Sequence, residues 1–254
     1  MNVVVLIPAR MASTRFPGKP LSTLLGKPMI QWVYERSVEA GVGSVIVATD
    51  SQRIREAVAS FGGEARMTRS DHGNGTERIA EVAAEIDADL VINVQGDEPT
   101  IDPRAIRQVL APFDTDDKLA MATLAETIQR YEDVLDPNVV KVVFDQSGRA
   151  LYFSRAPIPH LRNRVDADGQ SGQPAEPIHF RHIGIYAYRR DFLLRYVREP
   201  ACAAEKAEGL EQLRALHMGV AVRVALTSHA SIGVDTPVDL IKAEQILLEE
   251  RSRV

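Results

Sequence analysis

Cysteine is nearly missing: Cys202 stands alone among 254 residues, so no intrachain disulfide can form, which fits a reducing compartment. With no motif around it, Cys202 reads as a small packed residue rather than a reactive thiol. No apolar run approaches the roughly 18 residues of a membrane span. Val3 to Ile7 is too short for the apolar region of a signal peptide and has no basic segment before it. These absences lead us to expect a cytoplasmic protein with no membrane partner. The phosphate-binding pattern GxxxxGK[ST] is missing, and no GxGxxG follows the first apolar run, which sets aside a P-loop NTPase and a bare Rossmann dehydrogenase. Acid is also missing locally. Met1 to Tyr34 carry Arg10, Arg15, Lys19 and Lys27 before the first acid, Glu35, although the whole chain has a net charge of −5. That overall charge argues against a general nucleic-acid binder; the positive start suits an anionic small molecule.

What is present reads first as alternating strands and helices. Val3 to Ile7 is a continuous apolar, β-branched run, as in a buried parallel strand. Pro28 can open a helix with Ile30, Val33 and Val38 on one face, ending at Gly41. "SVIVAT" (44–49) reads as a strand, followed by a helix through Ile54, Ala57, Val58 and Phe61 that Gly62-Gly63 stops. A short strand at 64–67 and a helix at 76–86 lead to "LVINVQ" (90–95). The series predicts an α/β fold, a Rossmann-like doubly wound and mostly parallel sheet with right-handed crossovers. Ligands in such sheets bind beyond the carboxyl ends of the strands, here residues 8–20, 49–52, 68–75 and 95–99.

The second half is more mixed. Residues 138–145 and 149–154 read as a hairpin about "QSG", and 160–177 as a polar loop rich in Pro and Gly. Residues 179–189 read as a strand, 204–218 as a helix ended by Gly219, and 220–226 as a strand, before Pro237 opens a last helix. No repeat, low-complexity segment or clear linker divides the chain, which predicts one core, 1–254, with an inserted lobe.

The loop "IPARMASTRFPGKP" (7–20) leaves the end of the first strand. Glycine and prolines fix its path, while Arg10, Arg15 and Lys19 supply guanidinium forks and an ammonium, the donors a triphosphate needs. In "QGDEP", Asp97 lies just past a buried strand; Asp235 in "GVDTP" lies between a short apolar segment and a helix start. Two such carboxylates can share a Mg²⁺ if they converge, because that ion typically takes one or two carboxylates plus phosphate oxygens. They also suit plainer duties, Asp97 as turn former and Asp235 as helix N-cap. Glu98 reads as a supporting or surface residue. "TRSDHGNGTER" runs through two glycines into a helix, with Thr76 and Glu77 in its first turn, where backbone N–H groups can meet a base or an anion. His72 there reads as loop-shaping.

The opening loop closely resembles the nucleotide-binding loop of the sugar nucleotidyltransferases, the cytidylyltransferases in particular. The likeness continues through "VATD" (47–50), "MTRSDHGNGTER" (67–78), "NVQGDEP" (93–99), "LYFSRAPIP" (151–159), "RHIGIYAYR" (181–189), "EGLEQLRAL" (208–216) and "GVDTP" (233–237). In this order and spacing the segments resemble the branch that activates the acidic sugar 3-deoxy-manno-octulosonate (Kdo).

That resemblance implies the nucleotidyltransferase fold, with 1–125 mainly binding CTP and 138–226 mainly a sugar-binding and dimerisation lobe. It implies transfer of CMP from CTP to Kdo for lipopolysaccharide assembly, with Mg²⁺ as cofactor and a homodimer as the assembly. Arg10, Arg15 and Lys19 would hold phosphates, and Asp97 and Asp235 would hold the metal. Pro8, Ala9, Met11, Thr68, Arg69, Asn74, Gly75, Arg78 and Gln95 would complete the CTP site. Relatives usually read SGT where this chain has Asn74-Gly75-Thr76. Cytosine selection needs an acceptor for the 4-amino group and a donor for the carbonyl, which backbone groups and Gln95 can supply.

On the sugar side, Arg155 is the candidate for the carboxylate, with Arg162 and Arg164 assisting. His182 and Tyr186, four apart, share one face of an extended strand, as sugar contacts or as buried residues with satisfied polar tips. Glu208, Glu211 and Gln212 share a helix face, either solvated or, as the resemblance directs for Glu211 and Gln212, turned to sugar hydroxyls. The competing readings are a relative that activates sialic acid or methylerythritol phosphate, and a nucleotide-binding protein without turnover.

Overall fold

The computed structural model describes residues 1–12, 16–162, 177–229 and 231–252. Its centre is a parallel set of strands built from the short apolar runs of the first half. Strand β1 (Val3–Ala9) pairs in parallel with β4 (Ser44–Thr49) on one side and β6 (Leu90–Asn93) on the other, and β5 (Glu64–Met67) extends the sheet beyond β4. Between β1 and β4, a small hairpin, β2 (Thr23–Leu24) with β3 (Lys27–Pro28), leads into helix α1 (Met29–Glu39). Helices α2 (Gln52–Ser60) and α3 (Gly75–Ala84) make the next crossovers. Strands buried on both faces have no solvent side to pattern, which is why they read as continuous apolar runs.

The second half adds to the same sheet. After α4 (Pro103–Gln108) comes β7 (Met121–Thr127), then α5 (Tyr131–Leu135) and the antiparallel hairpin β8 (Lys141–Phe144) with β9 (Ala150–Ser154). The long β10 (Phe180–Arg189) runs antiparallel between β6 and β7 and also pairs with β8. Helices α6 (Arg190–Tyr196), α7 (Ala203–Glu208) and α8 (Gln212–His217) precede β11 (Val222–Leu226), which is parallel to β7. The main order is β11-β7-β10-β6-β1-β4-β5, and α9 (Pro237–Ser252) closes the chain.

Two apolar layers sandwich the sheet. Ile30 and Val33 of α1, Ile54 and Val58 of α2 and Ile106 of α4 pack on Val5, Ile7, Val47 and Ile92. On the other face Ile79 and Val82 of α3, Phe192 and Tyr196 of α6 and Leu213 of α8 pack on Val4, Leu6, Ala48 and Val91. This is the doubly wound, mostly parallel sheet expected. A third, smaller cluster joins Leu24, Met29 and Trp32 to Val234, Ala243 and Leu247, and so seats α9 against α1.

Some local expectations are corrected. The helix expected over 204–218 is two helices, because Gly209 adopts φ +63 between α7 and α8, a left-handed conformation that glycine takes at little cost. Val38 is half exposed rather than on the packed face of α1. Strand β7, next to the edge strand β11, was not among the expected elements.

Candidate active site

The carboxyl ends of β1 and β6 and the N-terminus of α3 converge on a cleft of about 300 Å³. Pro8, Ala9 and Arg10 come to it from β1 and the residue beyond, and Asn74, Gly75 and Arg78 from the start of α3. Gln95 and Asp97 come from the loop after β6, Lys19 from the opening loop, and Asp235 from the segment before α9. Ala12, Pro20 and Gly96 also line it and had not been singled out.

The local geometry follows from the loop sequences. Gly18 takes φ +73 and its N–H donates to the Met11 carbonyl at 3.2 Å, which folds the opening loop back and turns Lys19 inward. Gly96 allows β6 to meet β1 closely: a Cβ there would lie 2.6 Å from the Pro8 carbonyl oxygen. Asn74 caps α3, its Oδ1 accepting from the Glu77 N–H at 2.8 Å, while the Glu77 carboxylate accepts from the Gly73 N–H at 2.8 Å. This reciprocal cap leaves other first-turn N–H groups pointing toward the cleft end of the helix.

Lys19 joins the two aspartates. Its Nζ lies 2.7 Å from Asp97 Oδ2 and 3.3 Å from Asp235 Oδ1. Asp235 reaches this place because the Val234 N–H donates to the Asp97 carbonyl at 2.8 Å, with Val234 fully buried. The capping duty before α9 falls instead to Thr236 and Asp239, whose side chains exchange hydrogen bonds with each other's backbone N–H groups. The Asp235 carboxylate is thereby not the helix cap and lines the cleft. Two carboxylates beside one cation suit a Mg²⁺ that takes its remaining ligands from phosphate and water. No group of three or more potential metal-ligating side chains occurs among the described residues, so those residues do not form a closed, all-protein metal cage.

Of the other expected residues, some brace the cleft as well as line it and some lie away from it. Arg78 is buried, and its guanidinium holds Asp50 at 2.9 Å, the Thr68 hydroxyl and the Arg69 carbonyl, bracing the loop beside the cleft. Thr68 acts through that bond rather than by lining the cleft. Arg69 is exposed on the outer side, near Asp71 and Glu81, where Glu81 also pairs with His72. Met11 lies on a neighbouring depression with Pro17 and Arg53. Arg15 and Arg164 lie outside the described residues. Arg162 is described, but the rest of its loop up to 176 is not.

The sugar candidates form a second group on the same sheet face as α3. The His182 and Tyr186 rings lie 5.4 Å apart, so the expected common face exists. Burial lowers the His182 imidazole to about 3 and raises the Tyr186 phenol well above its ordinary value. Glu211 accepts a hydrogen bond from the Thr76 hydroxyl, tying α8 to the start of α3, and burial raises its carboxyl. Gln212 is buried, and its Nε2 has no hydrogen-bond partner among the described residues. Gln95 Nε2 donates to the Gly184 carbonyl at 3.3 Å, linking the cleft to β10. Arg155 is not brought to the cleft: its guanidinium donates to the Glu208 carbonyl at 2.7 Å and the Pro137 carbonyl at 2.9 Å. Glu208 in turn accepts from the Arg155 N–H and the Ser154 hydroxyl, so it is half-buried and braces β9 rather than lying on a fully solvated face.

Glu98 takes the supporting place, beside Asp97, rather than a surface one. Its carboxyl accepts from Ser231, and burial, reinforced by the neighbouring Asp97 charge, pushes it up to about 7. Asn93, fully buried at the end of β6, has neither side-chain amide atom paired among the described residues. Its signal in the sequence was an amide ending the otherwise apolar "LVIN".

A doubly wound sheet with a basic loop and paired aspartates at its strand ends defines the nucleotidyltransferase class. A family model described as Cytidylyltransferase matches residues 4–223. A 3-deoxy-manno-octulosonate cytidylyltransferase of Syntrophotalea carbinolica is 53% identical over 245 residues, covering 96% of this chain and 98% of that one. The protein of the same name from Geobacter metallireducens is 51% identical over 249 residues, 97% and 98% of the two chains. A solved CMP:2-keto-3-deoxy-manno-octonic acid synthetase complexed with CTP superposes with a TM-score of 0.91 at 45% identity, over 98% of this chain and all of that one. A 4-diphosphocytidyl-2C-methyl-D-erythritol synthase from Anaerococcus prevotii shares the fold, with a TM-score of 0.62 at 13% identity over 97% and 98% of the two chains. The chain belongs to the cytidylyltransferase family.

Proposed function

We propose that the protein transfers CMP from CTP to the anomeric hydroxyl of Kdo, with Mg²⁺ as cofactor. The observation that carries this reading is the meeting of Lys19, Asp97 and Asp235 in a cleft also lined by Arg10. The relatives' names and the CTP-complexed neighbour support the choice of nucleotide and sugar.

In this reaction the sugar oxygen forms a bond to the α-phosphorus, the bond from that phosphorus to the β-phosphate oxygen breaks, pyrophosphate leaves, and the hydroxyl proton passes to solvent. Arg10 and Lys19 bind phosphate oxygens and offset the charge gathered there. Asp97 and Asp235 would hold the metal, which supplies charge neutralisation between two anionic reactants and makes the hydroxyl more acidic. The α3 N-terminus and Gln95 orient the nucleoside, while Tyr186, His182, Glu211 and Gln212 orient the sugar. Positioning of this kind accounts for a large share of rate enhancement in bimolecular reactions. A homodimer in the cytoplasm completes the proposal. Leu151 and Tyr152, exposed on β9, offer apolar surface for self-association, which sedimentation velocity would measure. The one buried cysteine suits the compartment.

The test is pyrophosphate release from CTP with Kdo, with sialic acid and with no sugar, repeated with EDTA and with UTP. Release is expected only when CTP, Kdo and Mg²⁺ are present together. Asp97→Asn and Asp235→Asn should each lower turnover by roughly a hundredfold or more. A near-normal rate in Asp97→Asn would remove the metal role, and CTP binding without any release would favour a non-catalytic nucleotide binder.

A further inference from the structure

Lys19 is the common partner of both aspartates, and its position has a consequence for how metal and nucleotide bind. The Lys19 side chain is only 11% exposed, whereas those of Asp97 and Asp235 are 35% and 49% exposed. An ammonium so withdrawn from water needs carboxylate partners to replace its hydration. The carboxylates, converging from distant parts of the chain, need a cation between them. Each group is satisfied by the other, and a second cation approaching the same oxygens meets the field of the first.

We infer that Lys19 stands in for the metal in the free protein, so that Mg²⁺ is taken up together with the nucleotide and only weakly before it. The inference rests on the function proposed above and adds an order to it. Lysine suits the task because its compact charge rides on a flexible four-carbon stem with rotatable donors. Gly18, at φ +73 immediately before it, fixes the backbone from which that stem swings. Phosphate oxygens entering past Arg10 offer the ammonium a new anionic partner. Its departure removes the charge the two carboxylates share and clears the place between them for a divalent ion. By linkage, whatever nucleotide adds to metal affinity, metal adds equally to nucleotide affinity. Lys19 thus has two successive partners, the aspartates and then the phosphates, and is a positioning residue in the first of these states.

Metal binding, rather than turnover, tests this. Free Mn²⁺, a paramagnetic substitute for Mg²⁺, is titrated by electron paramagnetic resonance against wild type, Lys19→Met and Lys19→Arg. Each protein is measured alone and with a CTP analogue whose α,β-bridging oxygen is a methylene. Without nucleotide, Lys19→Met should bind Mn²⁺ between roughly 5-fold and 150-fold more tightly than wild type, the usual span of a site-to-site coupling. Lys19→Arg, which keeps the charge, should remain weak. The gain on adding the analogue should be large in wild type and small in Lys19→Met. Equal or weaker bare-metal binding by Lys19→Met overturns the inference. So does wild type that binds bare Mn²⁺ as tightly as it does with the analogue, a result that needs no variant to fold. Adding Asp97→Asn to Lys19→Met separates the two levels. If that change leaves Mn²⁺ binding untouched, the ion sits elsewhere and the metal assignment itself falls.

Discussion

His182 Nε2 lies 2.9 Å from the Thr123 hydroxyl, which also meets the Ile185 and Ile183 carbonyls at 2.8 and 3.1 Å. With two carbonyls in reach of its single proton, the hydroxyl is best placed to accept from the ring, which favours the tautomer protonated at Nε2. Phe153 packs edge-on at 5.0 Å and Tyr186 packs tilted at 5.4 Å, and burial lowers the imidazole to about 3. An unfolded histidine titrates near 6.5, so below that pH the unfolded chain binds a proton that the folded chain refuses. The stability that the neutral ring supports is complete above about 6.5 and drains away as pH falls toward 3. His182→Gln should flatten the fall in urea midpoint over that window. Parallel curves for the two proteins would show that the ring titrates alike in both states. At this scale the sequence told which residues could carry charge or hydrogen bonds, but not whom they would meet. Arg155 was selected for its cation, yet two backbone carbonyls claim its guanidinium. Sequence spacing holds no record of such a contact.

Elements were legible where one local signal dominates. The buried runs at 3–7, 44–49 and 90–93 have no competing reading, and Gly41 and Gly62, both at positive φ, end α1 and α2 where expected. Strand β7, "MATLAET", escaped because its alanines and threonines carry no marked period; its place is set by pairing with β10 and β11. Gly209 misled for the opposite reason, since a helix interior tolerates glycine and only the tertiary turn calls on its positive φ. Strand ends also govern the cleft. A Cβ at position 96 would lie 2.6 Å from the Pro8 carbonyl, a backbone atom that cannot rotate aside. Gly96→Ala should therefore part the ends of β1 and β6 under the nucleotide. Overpacking of this kind costs about 1–3 kcal/mol, and a displacement of the site near 1 Å costs on the order of a hundredfold in rate. We expect a raised KM for CTP and a reduced kcat, with KM for the sugar changed less. An alanine variant with wild-type KM for CTP would show that this approach does not shape the cleft.

The whole chain is needed to bring Asp235 to Asp97. Nothing local to either residue foretells their meeting; it is made by the Val234–Asp97 backbone bond and by the seating of α9 on the other side of α1. Leu247 and Ala243 anchor that helix against Leu24, Met29 and Trp32. Trp32, the single tryptophan of the sequence, donates to the Leu24 carbonyl at 2.7 Å, with Lys27 and Arg251 each 5.0 Å from its ring centre. Leu247 lies ten residues beyond the start of α9 at Pro237, about 15 Å along the axis at 1.5 Å per residue. A change there touches no substrate. Leu247→Ala should nonetheless cost about 2–5 kcal/mol through the cavity it leaves. It should also shift the Trp32 emission to the red, and lower turnover by loosening Asp235. The three readings separate the causes. A stability loss with unchanged emission places the damage away from the α1–α9 seam. A red shift with undiminished turnover means that the Val234 bond alone suffices to hold Asp235, and that α9 serves the fold without serving the site.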